Sequence, residues 1–464
     1  MALPLPYLTP PATPLTMAPL MAHTPHQKRA CSLGLLATIL LAGSWAPAQP
    51  AQPAPPGPPP AGSQLSAYLV TIDAGQAIYE RFGHNAIWVR DHAANTDEAF
   101  NYGIFDMRQS GFVLTFLQGR MLYSVEASDA PMMIEMYRRM NRSVVVEELN
   151  LTPPQRDKLY RFLISNIQPQ NRFYLYNYYT DNCSTRVRDA IDRALDRQIS
   201  RQLTALPSTD TYRSHTRRVS QYSFPMYTAL DFVLGPFIDR PLSAWEECFL
   251  PVEMHKHLHS VTVADQDGRS LPLIGREIMR YQSTGPAPHA APPPWFKWYL
   301  ALGLGIAAIL ASLGALAGAK TWARHMFAAC SSLWLLFVGL AGTFSAGLWL
   351  FTTHLAAHRN ENLFHFNPAS LALALLVPAT AYRKTWARRA AVPLAILVAA
   401  SSLLGLALKL LPPFTQVNAQ MIALTLPTHL AVAWTVCRLP RPDPLPASSP
   451  PKSRKGKRNP LLGR

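Results

Sequence analysis

Hydrophobic and polar residues alternate along four short segments in the first half of the chain, a pattern that is typical of strands. The segments are residues 67–72, 86–90, 100–105 and 143–149. Apolar residues at helical spacing follow at 128–141, 153–167 and 184–197. The mixture predicts an α+β domain over residues 65–290, which is long enough to bury one substantial core.

A different pattern begins after residue 295, where long apolar stretches replace the alternation. Five such stretches cover residues 299–318, 326–353, 366–382, 390–411 and 421–436. Their lengths bracket the roughly 20 residues that a helix needs to cross the hydrocarbon of a bilayer. We therefore expect residues 296–438 to form an all-α bundle of about five transmembrane helices.

Charged residues in the loops between these stretches predict the orientation in the membrane. The loops at 319–325 and 383–389 and the segment after Arg438 are rich in lysine and arginine, whereas those at 354–365 and 412–420 are not. Basic loops stay in the cytoplasm. The sequence thus predicts a multi-pass protein with a cytoplasmic C-terminus and with residues 65–290 outside.

The ends of the chain fit this orientation. Lys28 and Arg29 precede an apolar segment at 31–42, and small residues follow at 46–48, so residues 1–48 are predicted to be a signal peptide or an uncleaved signal anchor. Residues 49–64 are Pro-rich and predict an extended linker. Residues 439–464 are Pro-rich and then basic, which predicts a cytoplasmic tail.

Charge adds little about the substrate. The 464 residues carry a formal net charge of +16, but only 15% of them are charged. A basic tail beside a membrane is attracted to anionic headgroups, so we expect membrane phospholipid as a partner and no nucleic acid. The predicted spans contain few ionisable groups, which argues against a transport pathway.

Cys183 and His84 are the candidate reactive groups. Cys183 is expected at the N-terminus of a helix, where the helix end and the nearby Arg186 and Arg188 would favour the thiolate. His84 is expected at the start of a strand and is the natural base for a thiol nucleophile. The main structural alternative is a disulfide between Cys183 and Cys248.

A third group usually orients the imidazole of such a pair. We expect Asn101, on the strand after His84, to do so, with Asp106 and, as a weaker candidate, His92 in the turn as alternatives. Asp181 and Asn182, just before Cys183, are candidates for orienting or oxyanion-binding groups, or for simple helix capping. The cysteines show no metal-type spacing, and we expect neither a metal site nor a cofactor.

Several spaced blocks resemble the Lnb N-terminal periplasmic domain family. They are FGHNA at 82–86, NYGIFD at 101–106, FLQG at 116–119, YNY at 176–178 with DNCST at 181–185, and FLP at 249–251. The blocks ENL at 361–363 and FNP at 366–368 resemble the membrane region that accompanies that domain. The resemblance thus covers most of residues 65–437.

The resemblance implies a periplasmic thiol enzyme of the bacterial inner membrane, similar to permuted NlpC-type and lecithin retinol acyltransferase-like folds. Histidine before cysteine is the chain order of a circularly permuted papain-like domain. His84 would be the base and Cys183 the nucleophile of an acyltransferase acting on phospholipid or lipoprotein acyl groups. An envelope amidase or peptidase with the same dyad, and a non-catalytic envelope scaffold, are the alternatives.

Overall fold

The computed structural model describes residues 59–106, 111–286 and 289–440. The predicted signal segment at 1–48, residues 49–58 of the predicted linker and residues 441–464 of the basic tail lie outside the described residues.

Eleven strands lie in the first half of the described chain, and seven of them form a central antiparallel sheet. The strands in chain order are β1 (Leu65–Ile72), β2 (His84–Asp91), β3 (Thr96–Ile104), β4 (Leu122–Asp129), β5 (Val144–Leu149), β6 (Phe173–Leu175), β7 (Pro207–Thr211), β8 (Pro241–Ser243), β9 (Thr262–Ala264), β10 (Ser270–Pro272) and β11 (Ile274–Tyr281). The central sheet has the order β11-β5-β1-β2-β3-β4-β6, while β7 pairs with β8 and β9 pairs with β10. The four predicted strands correspond to β1, β2, β3 and β5.

Helices cover both faces of this sheet. They are α1 (Phe112–Leu117), α2 (Ala130–Arg139), α3 (Pro153–Asn166), α4 (Cys183–Ala194), α5 (Gln198–Leu203), α6 (Tyr212–Ser220), α7 (Phe224–Val233), α8 (Ala244–Glu247) and α9 (Pro251–Leu258). The predicted α+β class is thereby confirmed as a mixed domain of sheet and helices, and the three predicted helices correspond to α2, α3 and α4.

The alternation along the strands explains the two cores. In β2, Ala86 and Trp88 face helix α2 and belong to one buried cluster. Ile87 and Val89 face the opposite way and pack with α3, α4 and α9 in the larger cluster. Because successive side chains of a strand point to opposite faces, both faces of the sheet need cover. The helix that begins with Cys183 is thereby held against the strand that begins with His84.

Five helices follow in the second half. They are α10 (Phe296–Leu316), α11 (Thr321–Phe351), α12 (Ser370–Ala381), α13 (Thr385–Ala407) and α14 (Ala419–Arg438). Among the described residues, four helices are long and apolar enough to cross a membrane, namely α10, α11, α14 and α13 with its continuation to Leu410. Helix α12 has 12 residues, about 18 Å of rise, which is well short of the roughly 30 Å of a bilayer core.

Helix α12 is shorter than the predicted stretch at 366–382 because a turn occupies the first residues of that stretch. The side chain of Asn367 accepts a hydrogen bond from the N–H of Ala369 at 2.9 Å, and Pro368 lies between them. The helix therefore begins only at Ser370, after an Asn-Pro turn. Where about five transmembrane helices were expected, the described residues contain four helices long enough to span a membrane and one shorter apolar helix.

The two halves pack directly on each other. The side chains of Asn360 and Asn362, in the loop after α11, both donate to the carbonyl of Phe232 in α7, at 2.8 and 2.9 Å. Gln416, before α14, donates to the carbonyl of Leu234 at 3.1 Å. All three amides are buried. Buried polar groups of this kind must be paired, so these contacts fix the sheet domain against one end of the helical bundle.

Candidate active site

The position of Cys183 is fixed by the start of helix α4. The side chain of Asn182 accepts from the N–H of Thr185 at 2.9 Å, and the Thr185 hydroxyl accepts from the N–H of Asn182 at 2.7 Å. The Asn182 amide also donates to the carbonyls of Tyr178 and Phe249, at 2.9 Å each. Asn182 is thus the helix cap, which was one of its predicted roles. Both the oxygen and the nitrogen of its side-chain amide are hydrogen-bonded.

His84 is held by Asn101. The two residues lie diagonally on β2 and β3, where Ala86 is directly opposite Asn101. His84 Nε2 is 3.1 Å from Asn101 Oδ1. The Asn101 amide nitrogen donates to the carbonyl of Ala99 and to the hydroxyl of Ser128, at 3.1 Å each. Since the nitrogen side of the amide is occupied, Oδ1 must accept, and Nε2 of the imidazole carries the proton. The neutral imidazole therefore has its free lone pair on Nδ1.

The side chains of His84 and Cys183 converge on the same groups. The charge of Arg142 lowers the pKa of both. The ring of Tyr137 lies 6.1 Å from the imidazole, and its own pKa responds to the Cys183 thiolate. The N–H of Asn85, the residue after His84, points at the sulfur. No hydrogen bond joins His84 to Cys183 in the described chain. Hydrogen bonds between catalytic groups are often long or poorly aligned before substrate binds.

Burial controls the protonation of both groups. Surrounding protein raises the pKa of the Cys183 thiol, and the N–H groups of Asn85, Ser184 and Cys183 itself only partly oppose that rise. Burial likewise lowers the pKa of His84 to about 4, although its hydrogen bond to Asn101 favours the charged form. At neutral pH the site therefore holds a thiol beside a neutral imidazole. This is the starting state for general-base attack, in which the proton leaves as the sulfur attacks.

The predicted stabilisation of a thiolate by Arg186 and Arg188 was wrong. The guanidinium of Arg186 forms a two-pronged ion pair with Asp181, and that of Arg188 pairs with Asp189 at 2.7 Å. Each cation is paired with a carboxylate of its own segment, and the charged side chain that lowers the pKa of Cys183 is Arg142. Asp181, which was a candidate orienting or oxyanion-binding group, is occupied by its ion pair with Arg186.

Arg142 is the cation that sequence reasoning missed. It follows helix α2, donates through Nε to the carbonyl of Asp73 at 2.9 Å and stacks on the ring of Tyr137 at 4.9 Å. Its side chain is buried, and one terminal nitrogen finds no hydrogen-bond partner among the described residues. Only the fold brings this arginine to the site, so no spacing along the chain indicates it.

Gly103 lets β3 approach the thiol closely. Its φ is +88°, and a Cβ added there would lie 3.4 Å from the Cβ of Cys183 and 3.6 Å from the ring of Tyr176. A side chain at this position would be strained by the positive φ and would come into direct contact with Cys183.

Comparison with known families agrees with this architecture. Residues 61–218 match the Lnb N-terminal periplasmic domain, and residues 304–439 match the Lnb transmembrane domain. Together the two matches cover more than half of the chain. The chain belongs to the Lnb family. The Lnb domains indicate a membrane-anchored periplasmic protein. No curated protein and no solved structure matches the chain.

The other predicted site residue of this Lnb protein lies elsewhere. Asp106 comes after the end of β3, where its side chain is exposed, and the oxygen that contacts the imidazole belongs to Asn101. The structure therefore brings together His84, Asn101 and the sulfur-bearing end of α4, and Asn101, not Asp106, accepts the hydrogen bond of the imidazole.

The two cysteines of the Lnb sheet domain are free thiols. Cys248 is fully buried and donates its thiol to the carbonyl of Ala244 at 3.2 Å. Burial raises the pKa of the Cys248 thiol to about 12. Cys183 keeps some exposed surface. The structure thus contains no disulfide between them, and of the two only Cys183 is open to a reagent.

A row of aromatic rings leads from the thiol to the membrane domain. The ring of Tyr176, beside Cys183, stacks on Tyr123 at 4.3 Å and meets Tyr178 at 6.1 Å. Tyr178 in turn stacks on His354, in the loop after α11, at 6.1 Å and an angle of 13°. A series of contacting rings, with Tyr123 buried and Tyr176 and Tyr178 partly buried, therefore connects the surroundings of the sulfur with one end of the helical bundle.

Proposed function

We propose that this Lnb protein is a membrane-anchored periplasmic cysteine acyltransferase that acts on the acyl groups of lipids or lipoproteins. The observation that carries the proposal is the arrangement of His84. Asn101 occupies Nε2, so Nδ1 is free to take a proton, and the thiol of Cys183 lies at a helix N-terminus nearby. A papain-like, circularly permuted domain is part of this proposal, supported by the packing of the Cys183 helix on the sheet that carries His84.

In the first step, Nδ1 of His84 takes the thiol proton as Cys183 Sγ attacks the carbonyl carbon of an ester. The N–H groups of Asn85, Cys183 and Ser184 surround the sulfur and are the candidate donors to the tetrahedral oxyanion. The ester C–O bond then breaks, and the imidazolium returns its proton to the leaving alcohol. The product is an acyl thioester on Cys183.

In the second step an amine attacks the thioester. His84 takes a proton from the amine as the new C–N bond forms, and the C–S bond breaks. The imidazolium gives that proton to the departing thiolate, so the free thiol is restored with the amide product. The cycle needs no cofactor, because every proton moves between His84 and the reacting groups.

The aromatic row supports a lipid as acyl donor. It ends at the loop that follows α11, where the exposed apolar side chains of Leu114 and Leu117 in α1 also lie beside the bundle. A diacyl lipid moved through water loses about 0.8 kcal/mol for each methylene exposed. A domain held against the bilayer avoids this cost. Peptidoglycan fragments, the substrates of a hydrolase, are water-soluble and need no such surface.

The proposal also places the protein in the bacterial inner membrane, with several spans and a cytoplasmic C-terminus. It is supported by the position of the basic residues Lys320, Arg383, Lys384 and Arg438, which lie at the ends of helices away from the sheet domain. A phosphatase reporter fused after Pro292, beyond the last strand, should be active. One fused after Arg441 should be inactive.

The test of the function uses the purified full chain in liposomes with a lipoprotein acceptor. We expect mass spectrometry to show an acyl group added to the acceptor amine, with one lysophospholipid released for each transfer. Cys183→Ala should abolish both products, and His84→Ala should lower the rate by about 10²–10⁴-fold. Cleavage of peptidoglycan fragments without transfer in liposomes would reject the acyltransferase in favour of the hydrolase.

A further inference from the structure

Two histidines and two glutamates meet between helix α9 and the edge of the central sheet. Glu147 and Glu277 are directly opposite each other on β5 and β11. His255 lies in the last turn of α9, and His259 follows one turn later as its C-terminal cap. One ligand atom from each residue lies within 4.8 Å of all the others. The proposed acyl transfer uses none of these residues.

The ligand atoms lie close together, but two of them complete no hydrogen bond. Glu147 Oε1 is 3.0 Å from both His255 Nδ1 and His259 Nε2, and His259 Nε2 is 3.1 Å from Glu277 Oε2. Yet Glu147 Oε1 and His255 Nδ1 are buried and complete no hydrogen bond of acceptable geometry within the described chain. In a tetrahedral site with bonds of about 2.0–2.1 Å, ligand atoms are about 3.3–3.4 Å apart. Three of the ligand-atom pairs, at 3.0–3.1 Å, are slightly closer than that value, and all of the pairs lie within 4.8 Å.

The two carboxylates of the cluster favour a cation beside them. The Glu147 side chain has no exposed surface, and a buried carboxylate is costly unless its charge is compensated. Glu277 places a second carboxylate directly across the strand pair, where like charges repel. Within the described chain no lysine or arginine pairs with either glutamate. One divalent cation would balance both carboxylates while the two imidazoles stay neutral, and the C-terminal end of α9 also favours positive charge.

A neighbouring cluster shows what a satisfied arrangement looks like. Glu247 accepts hydrogen bonds from Ser208 at 2.7 Å, from His215 at 3.0 Å and from His257 at 2.7 Å. The guanidinium of Arg218 lies 3.0 Å from the other nitrogen of His215. This second cluster has donors for its carboxylate and a permanent cation beside it. It therefore needs no metal, although its residue types are similar.

We propose that Glu147, His255, His259 and Glu277 form a binding site for a divalent metal ion of the Zn²⁺ type. Mixed imidazole and carboxylate ligands in a four-coordinate arrangement suit Zn²⁺. His259 and Glu277 are 41% and 40% exposed, so an ion can enter from solvent. Four protein ligands leave no open position, which makes this a structural site. The sequence had predicted no metal because the ligands come from three separate elements.

The ion would clamp α9 onto the sheet behind the catalytic strand. The other oxygen of Glu147 accepts from the hydroxyl of Thr71 at 3.3 Å, and that hydroxyl accepts from the side chain of Asn85 at 3.0 Å. At its other end, α9 begins with Pro251, which lies against Gly83. Both contacts reach the neighbours of His84, so the clamp would steady one wall of the site.

The test measures metal bound to the purified full chain. After treatment with a chelator, the protein is dialysed against Zn²⁺ and analysed by elemental mass spectrometry, and Co²⁺ is added separately to read the coordination from its visible spectrum. We expect about one Zn²⁺ per chain and a four-coordinate Co²⁺ spectrum. The double variant His255→Ala/His259→Ala should bind Zn²⁺ more than about 100-fold more weakly.

The matched control is His257→Ala, which removes a histidine from the same helix but from the satisfied cluster, and it should keep the metal. If the double variant does not fold, His259→Gln changes only a partly exposed ligand and should still weaken binding. Zn²⁺ should raise the melting temperature of the wild type but not that of the ligand variants. Absence of bound Zn²⁺ in the wild type, undiminished binding in the ligand variants, or an equal loss in His257→Ala would each overturn the proposal.

Discussion

Asn101 Oδ1 lies 3.1 Å from Nε2 of His84, and this contact determines which imidazole nitrogen is free. Without the amide oxygen, the ring can rotate and present the wrong nitrogen to the sulfur. We therefore expect Asn101→Ala to lower kcat by about 10²-fold, a typical cost of misplacing a reacting group, with little change in KM. Steady-state kinetics in liposomes checks this.

The variant Asn101→Asp separates orientation from simple packing loss. A carboxylate in the same place still accepts from Nε2 but adds a negative charge, which raises the pKa of His84. The acid limb of the pH–rate profile should then move to higher pH, while much of the activity remains. Equal kcat in wild type and Asn101→Ala would show that Asn101 does not position the base.

The contact between Asn101 and His84 could be predicted from the sequence, whereas the electrostatics of the site could not. Asn101 is on the next strand of a hairpin, so the regular pairing of neighbouring strands brings it to His84. The same local reasoning predicted Cys183 at the start of a helix and Asn182 as its cap. Such positions depend only on the two-residue period of strands and on the residues next to a helix end.

The position of Arg142 depends on a contact between distant segments, whereas Arg186 and Arg188 pair with carboxylates of their own segment. Arg142 follows α2, and its hydrogen bond to the carbonyl of Asp73, 69 residues earlier, holds it in place. Arg186 turns away because Asp181 is within reach of its guanidinium. Neither outcome has a spacing that reveals it. The shorter α12 also escaped prediction, since hydropathy does not register an Asn-Pro turn inside an apolar stretch.

Gly103 gives a second test of the site geometry. We expect Gly103→Ala to lower thermal stability, because a non-glycine residue with positive φ costs about 1–2 kcal/mol, and to reduce acyl transfer, because the new Cβ would contact Cys183. Gly268→Ala is the matched control. Gly268 has a φ of +79° but no atom within 4 Å of an added Cβ, so this variant should lose stability and keep full activity. Equal activity of the two variants would contradict the close approach.

Acid should destabilise the protein through His84. Its pKa is about 4 in the folded chain and about 6.5 in a free histidine. Below pH 6.5 His84 binds a proton in the unfolded state but not in the folded state. The free energy of unfolding contributed by His84 is therefore fully present above pH 6.5 and falls as the pH drops toward 4. Melting temperatures across this range should decline less steeply in His84→Gln.

Cys183→Ala is the control for that measurement. Burial raises the pKa of the Cys183 thiol, so the thiol stays neutral between pH 4 and 6.5 and its removal should leave the slope unchanged. A wild-type slope in His84→Gln would mean that His84 is not held neutral by the fold.

The central claim is that Cys183 becomes acylated during turnover. The most direct measurement incubates the full chain with phospholipid vesicles, omits the amine acceptor, and analyses intact protein and peptides by mass spectrometry. The account predicts a mass increase of one acyl chain on the peptide that contains Cys183, removable by hydroxylamine. The adduct should be absent in Cys183→Ala, much reduced in His84→Ala, and retained in Cys248→Ala. An acyl group on another residue, or transfer to an acceptor that persists in Cys183→Ala, would contradict it.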